Sequence, residues 1–132
     1  TVTGKHEADH VATLKTVLKS AAVKQPTVNF GAAVTDPTTF AKTAQVLEDT
    51  GVSAYAGQVN NVLQKAVLAA AASIHSVEAR HAAWIRLLLI EAGLAPAQDS
   101  NYPAPVSFDE PATEKQVLKA VAGTGFVPGL KA

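Results

Sequence analysis

The chain has 132 residues, a length that supports one domain with a core of its own. Its 11 basic residues balance its 11 acidic residues, so no net field is present that would attract nucleic acid or an anionic membrane. Cysteine is absent, which excludes disulfides and thiolate metal ligands and leaves nitrogen and oxygen atoms for any metal.

Methionine is also absent and the first residue is Thr1, so we expect the chain to have been processed or cut from a longer product. The most apolar stretch, residues 66–90, is interrupted by charged residues and histidines. Such a stretch argues against a membrane span and is typical of a helix in a protein interior or interface.

A first helix is predicted over residues 5–23, because apolar residues recur there at intervals of three and four. A stretch rich in proline and turn formers follows it. Asp36 and Pro37 then form a strong helix start, since they supply an N-cap followed by proline at the first helical position. The second helix is predicted from there to the asparagine pair at 60 and 61.

A long alanine-rich helix is predicted next, to about Ala92, with Gly93 as its stop. Its inward side is predicted to carry Leu63, Val67, Ala70, Ile74, Val77, His81, Ile85 and Leu88. A proline-rich segment over 94–111 crosses to a short helix over 112–123. No strand-like alternation competes, so the predicted fold class is all-α, with three main helices and a short C-terminal helix.

Two Glu-x-x-His pairs fall on these helices. HEADH at residues 6–10 contains Glu7 and His10, and EARH at residues 78–81 contains Glu78 and His81. Residues three apart share a helix face, so both side chains of a pair can reach one metal site. Six glutamates and four histidines would give about 0.2 such pairs by chance, so the two pairs present indicate a common function.

A third carboxylate, Glu48, lies on the inward side of the second helix. Burying an ionised carboxylate without a partner costs several kcal/mol, and a divalent metal would supply that partner. Two Glu-x-x-His helices plus single glutamates from two other helices form the ligand set of di-iron and di-manganese bundles. This sequence contains three of the four parts. The alternative is that the acids pair with histidines, Arg80 or Lys42 across helices.

The chain also resembles a known family. EADHVATLKTVL, FAKTAQVLEDTGVSAYAG, AAASIHSVEARHAAWIRLLL and SFDEPATEKQVLKAV are similar to successive segments of the ferritin-like domain family that includes desiccation-related proteins of plants and bacteria. The resemblance covers nearly the whole chain, as a single domain over 1–132, and its second and third segments are the most specific. It implies a ferritin-like helical bundle with metal ligands at Glu7, His10, Glu48, Glu78 and His81.

By the same resemblance Tyr55, two turns after Glu48, is expected near the site as a hydrogen-bond partner. His6 and His75 are interpreted as ordinary polar-face or boundary histidines. His75 is also a candidate partner for a ligand, because it stands three residues before Glu78.

One departure from the family concerns its first helix. The family's domains normally begin with another helix that carries a first glutamate, whereas this chain opens directly on the second helix. The metal site is therefore expected to be incomplete within this chain. The apolar face that the first helix would cover favours association, so we expect a homo-oligomer or a partner protein over that face.

The resemblance implies iron as the cofactor, as two ions, with manganese as the alternative metal. The implied chemistry is oxidation of ferrous iron or disposal of reactive oxygen. A second interpretation is a metal-free structural or stress-protective interaction subunit of a larger cell-envelope assembly. Several relatives are exported, which makes a periplasmic, cell-envelope or extracellular location the expectation.

HEADH also matches the His-Glu-x-x-His signature of zinc hydrolases, in which two histidines hold the metal and the glutamate activates water. Such enzymes need a third ligand and usually a sheet edge for extended substrate. The sequence predicts no strand, so this interpretation is the weakest of the three.

Overall fold

A computed structural model describes residues 1–95 and 102–131. Its helices are α1 (Val2–Leu18), α2 (Pro37–Gln58), α3 (Lys65–Glu91) and α4 (Glu114–Gly123), with 3-10 turns at Lys19–Ala21 and Gly31–Val34. These two ranges contain no strand. The predicted all-α class, with three main helices and a short C-terminal helix, is confirmed. No helix in the same ranges is long and apolar enough to cross a membrane.

The helix starts follow local capping. The Asp36 carboxylate accepts a hydrogen bond of 2.6 Å from the backbone N–H of Thr39 and so caps the first turn of α2. At α4, Thr113 and Gln116 form a reciprocal capping box. Both starts agree with the sequence prediction because short-range hydrogen bonds determine them.

The end of α3 agrees with the sequence prediction, and the end of α1 does not. Gly93 has a φ of +67° and follows the end of α3, as a glycine that stops a helix does. The end of α1 differs from the prediction, because the helix stops at Leu18 and Lys19 adopts a φ of +52°. The predicted helix to residue 23 is therefore too long by about one turn.

Helix α3 is the centre of the fold. It packs most extensively against α2 and also contacts α1, while α4 packs against α2. In the described part of the chain the backbones of α1 and α2 approach each other closely at few points. The buried apolar residues are few: Ala33, Val52, Ile74, Ala82 and Leu89. None of them belongs to α1, all of which is described.

The buried side of α3 differs from the predicted stripe. Leu63 and Leu88 are 91% and 51% exposed, so their predicted inward positions are wrong. The buried residues of α3 include Ile74, Glu78 and Leu89. The helix is thus rotated slightly, so that Glu78 rather than its apolar neighbour Val77 occupies the most buried position in that turn. An acid has taken a core position.

The segment before α4 is fixed to α2 and α3 at two points. The backbone N–H of Ala112 donates to the carbonyl oxygen of Ser53 at 2.9 Å. The Arg86 guanidinium on α3 donates to the carbonyl oxygen of Pro103 at 3.0 Å and to the Asp49 carboxylate at 2.8 Å. Of the predicted crossing segment, residues 96–101 lie outside the described residues.

Candidate metal centre

Three helices direct acidic and imidazole side chains to one point. α1 supplies Glu7 and His10, α2 supplies Glu48, and α3 supplies Glu78 and His81. One ligand atom from each of four side chains lies within 4.8 Å of the others, and these side chains are Glu7, Glu48, Glu78 and His81. The i and i+3 spacing on α1 and α3 explains why each helix presents two groups on one face.

His81 lies among all three acids. Its Nδ1 atom is 3.2 Å from Glu7 Oε1, 3.5 Å from Glu48 Oε2 and 3.6 Å from Glu78 Oε2. His10 joins the cluster from α1, with its Nδ1 atom 3.0 Å from Glu78 Oε1 and 3.5 Å from Glu7 Oε1. The structure therefore brings together all five residues that the sequence proposed as ligands.

These short distances are not matched by hydrogen bonds. Glu7 Oε1, His10 Nδ1 and His81 Nδ1 are buried and form no hydrogen bond within the described residues. Buried polar atoms are nearly always hydrogen-bonded, so three unsatisfied atoms in one cluster need an explanation. Carboxylate oxygens and imidazole nitrogens that converge in this way fit a metal ion, since both donor types are ligands for iron and manganese.

Burial and mutual repulsion shift the acids away from their ordinary ionisation. Burial, a hydrogen bond with Glu48 and the charges of Glu7 and Glu48 raise the pKa of Glu78 to about 7. The pKa of Glu48 is also raised, chiefly by burial and further by the charges of Glu7 and Asp49, although the hydrogen bond with Glu78 opposes the shift. The cluster is therefore costly to ionise unless a cation enters it.

Tyr55 lies on α2 two turns beyond Glu48 and is half-buried. Burial and then the negative charges of Glu78 and Glu7 raise the pKa of Tyr55 to about 12. Its hydroxyl is therefore protonated at neutral pH, and it lies close enough to Glu78 and Glu7 for their charges to act on it. Its hydrogen bond to a ligand stays a prediction.

A cavity of about 310 Å³ lies between α1, α2 and α3, next to the cluster. Leu14, Tyr55 and His75 are part of its wall. The Nε2 atom of His75 is buried and forms no hydrogen bond within the described residues. The suggestion that His75 supports a ligand stays a prediction.

Sequence reasoning missed the role of His6. Its Nδ1 atom lies 3.0 Å from His81 Nε2, and the two ring planes differ by 8°. His6 is thus the partner of a cluster residue on another helix and not an ordinary boundary residue. The signal was its i, i+4 relation to His10, which places both imidazoles on one face of α1.

The structure also shows which contacts the residues of the HEADH motif make. Glu7, the residue that would activate water in a zinc hydrolase, shares its pocket with two further glutamates from α2 and α3. His6, one of the two presumed zinc ligands, contacts His81 instead of sharing a site with His10 alone. HEADH therefore forms one wall of a site that three helices build.

A helical bundle with carboxylates and imidazoles from three helices around one point has the arrangement of side chains that di-iron and di-manganese carboxylate bundles use. The family model for the ferritin-like domain matches residues 1–91, which contain α1 to α3 and every residue of the cluster. The chain is a member of the ferritin-like domain family. The match ends before α4, so the resemblance of SFDEPATEKQVLKAV lies outside it. No curated protein and no solved structure matches the chain.

Proposed function

We propose that this ferritin-like protein binds redox-active metal, with Glu7, His10, Glu48, Glu78 and His81 as the ligands. The observation that carries the proposal is the convergence of buried ligand atoms that lack hydrogen bonds. Iron is proposed first, as two ions, and manganese second, because mixed carboxylate and imidazole ligand sets suit both.

The charges of the cluster support the proposal. Three carboxylates face two imidazoles, and Glu48 and Glu78 side chains are only 11% and 7% exposed. Lys42 and Arg80, the cations of the alternative ion pairing, are exposed. The acids' ion-pair contacts are to His10 and His81, which are charged only when protonated. A divalent cation would offset the cost of the buried charge.

The proposed chemistry is oxidation of ferrous iron or disposal of reactive oxygen. A bound iron or manganese centre supplies the change of valence, and the protein supplies the geometry. Glu48, Glu78 and His81 form the buried part of the ligand set. The Glu7 side chain, 45% exposed, lies on the side of the cluster that faces solvent, so we propose that metal and small oxidants enter there.

We further propose that a helix of another chain, in the first instance a second copy, covers the apolar cavity between α1, α2 and α3. Three features support this. The backbones of α1 and α2 approach each other closely at few points where the structure describes them. α1 buries no residue of its own. The cavity beside Tyr55 has a mostly apolar wall, which an apolar helix face would fill. Sedimentation over a range of concentrations should show a dimer or larger assembly, and a monomer throughout would contradict this part.

The metal proposal is tested by elemental analysis of protein purified without chelator. The wild-type chain is expected to retain iron or manganese, and Glu78→Ala is expected to lose it. Glu110→Ala is the matched control, because Glu110 is an exposed acid far from the cluster in sequence. Metal-free wild-type protein that also fails to bind added Fe²⁺ or Mn²⁺ would refute the proposal and favour the metal-free interaction role. The expected cell-envelope or extracellular location stays a prediction.

A further inference from the structure

The contact between His6 and His81 joins two helices through their imidazoles. His6 Nδ1 and His81 Nε2 are 3.0 Å apart, which is the length of a hydrogen bond. The rings are nearly parallel, with an interplanar angle of 8° and centroids 5.2 Å apart. His81 is buried and His6 is half-buried, so water competes little for this contact.

The two nitrogens of His81 face different surroundings. Nδ1 points among the three acids, with Glu7 Oε1 at 3.2 Å, and Nε2 points to His6. A neutral imidazole carries one N–H and one lone pair. If Nδ1 uses its lone pair as a ligand, Nε2 must carry the hydrogen, and a buried N–H needs an acceptor. His6 Nδ1 is at the correct distance to be that acceptor.

The position of His6 on α1 gives this contact a wider effect. His6, Glu7 and His10 lie within little more than one turn of α1, and α1 runs antiparallel to α3 because residues 6 and 10 meet residues 81 and 78. No residue of α1 is fully buried, so these polar contacts add to the half-buried apolar residues Leu14, Val17 and Leu18 in docking α1. The same turn of α1 thus carries two proposed ligands, Glu7 and His10, and also His6, which contacts the proposed ligand His81 on α3.

We propose that His6 is a positioning residue, whose Nδ1 accepts the Nε2–H of His81 and holds the Nδ1 lone pair of His81 toward the acids. This role of His6 rests on the proposed function, because His6 would orient His81 as a metal ligand. Ligand histidines commonly donate their second N–H to a fixed acceptor, and loss of that acceptor typically lowers metal affinity about 10- to 100-fold. Here the acceptor is an imidazole from a neighbouring helix.

The test compares Mn²⁺ affinity, measured by titration calorimetry, in the wild type and three variants. His6→Phe keeps a ring but removes the acceptor, and His6→Gln supplies a carbonyl oxygen in its place. Thr13→Phe is the matched control, because it adds the same ring to α1 at an exposed position two turns from His6. His6→Phe should weaken Mn²⁺ binding about 10- to 100-fold, with recovery in His6→Gln and wild-type affinity in Thr13→Phe.

Equal Mn²⁺ affinity in His6→Phe and the wild type would overturn the inference. So would an equal loss in His6→Phe and His6→Gln, since that result would indicate only a structural requirement for histidine. A wild type that binds no Mn²⁺ or Fe²⁺ would refute the proposed function alone. In that case the contact between His6 and His81 is tested in the metal-free protein by nuclear magnetic resonance. Scalar coupling between ¹⁵N nuclei of His6 and His81 would support the contact, and its absence would overturn it.

Discussion

Replacing Glu78 by glutamine is expected to stabilise the metal-free protein while removing its metal site. Gln keeps the size and shape of Glu78 but never ionises. The carboxyl of Glu78 lies in the core position of α3, close to Glu7 and Glu48, and burial raises its pKa from 4.5 to about 7. The wild-type fold therefore carries a destabilising charge whenever Glu78 is ionised.

The sign of the effect follows from this raised pKa. Between pH 4.5 and about 7 the folded chain holds a proton at Glu78 that the unfolded chain has released, so the wild type loses stability as pH rises through that window. Each pKa unit corresponds to about 1.4 kcal/mol, so the loss is on the order of 3 kcal/mol above pH 7 and is shared with Glu48. Glu78→Gln should recover most of it at pH 8 and little at pH 5.

The assay is urea unfolding in the presence of chelator at pH 5 and pH 8, followed by circular dichroism. Glu110→Gln is the matched control, since Glu110 is exposed and should change the free energy of unfolding by only a few tenths of a kcal/mol at either pH. Adding Mn²⁺ should stabilise the wild type and leave Glu78→Gln unchanged. If Glu78→Gln is less stable than the wild type at pH 8 without metal, the ionised Glu78 carboxylate does not destabilise the wild-type fold, and the prediction is wrong.

Three further predictions follow from the packing of the helices. In Gly57→Ala the new Cβ would meet the backbone of Ala112, so the variant should lose about 1 to 3 kcal/mol of stability. In Gly51→Ala the new Cβ would lie 3.9 Å from Glu78 Cγ, so that variant should be as stable as the wild type or more stable. Thermal unfolding measures both effects. Arg86→Ala removes the hydrogen bonds to Asp49 and Pro103 and should cost about 2 to 3 kcal/mol in urea unfolding, and a change under 0.5 kcal/mol would refute that role. Amide hydrogen exchange in α1 should slow when Mn²⁺ is added, because α1 buries no residue; unchanged exchange would contradict docking through the cluster.

Much of the fold could be predicted from the sequence because local chemistry decides it. The cap at Asp36 and the glycine at 93 set helix boundaries through bonds and backbone angles within a few residues. The early end of α1 was not predictable in this way. The apolar pattern continues past Leu18, but the chain turns there at Lys19.

The candidate site was predictable to the extent that helix spacing determines it. Glu7, Glu48, Glu78 and His81 converge as their positions on helix faces suggested, and His10 joins them through Glu78 and Glu7. The contact between His6 and His81 was not predictable, because it depends on the axial position of α1 along α3. Leu89 rather than Leu88 points inward, and this depends on a small rotation of α3. The sequence does not determine that rotation, because apolar residues lie on both sides of the helix.

The proposed metal centre is tested most directly by a crystal structure of the protein grown with Mn²⁺ or Fe²⁺, with anomalous diffraction used to locate the metal. We predict anomalous density in contact with Glu48, Glu78 and His81, between α1, α2 and α3. Metal bound only at surface histidines or acids, with none of those three side chains in contact with it, would contradict the proposal.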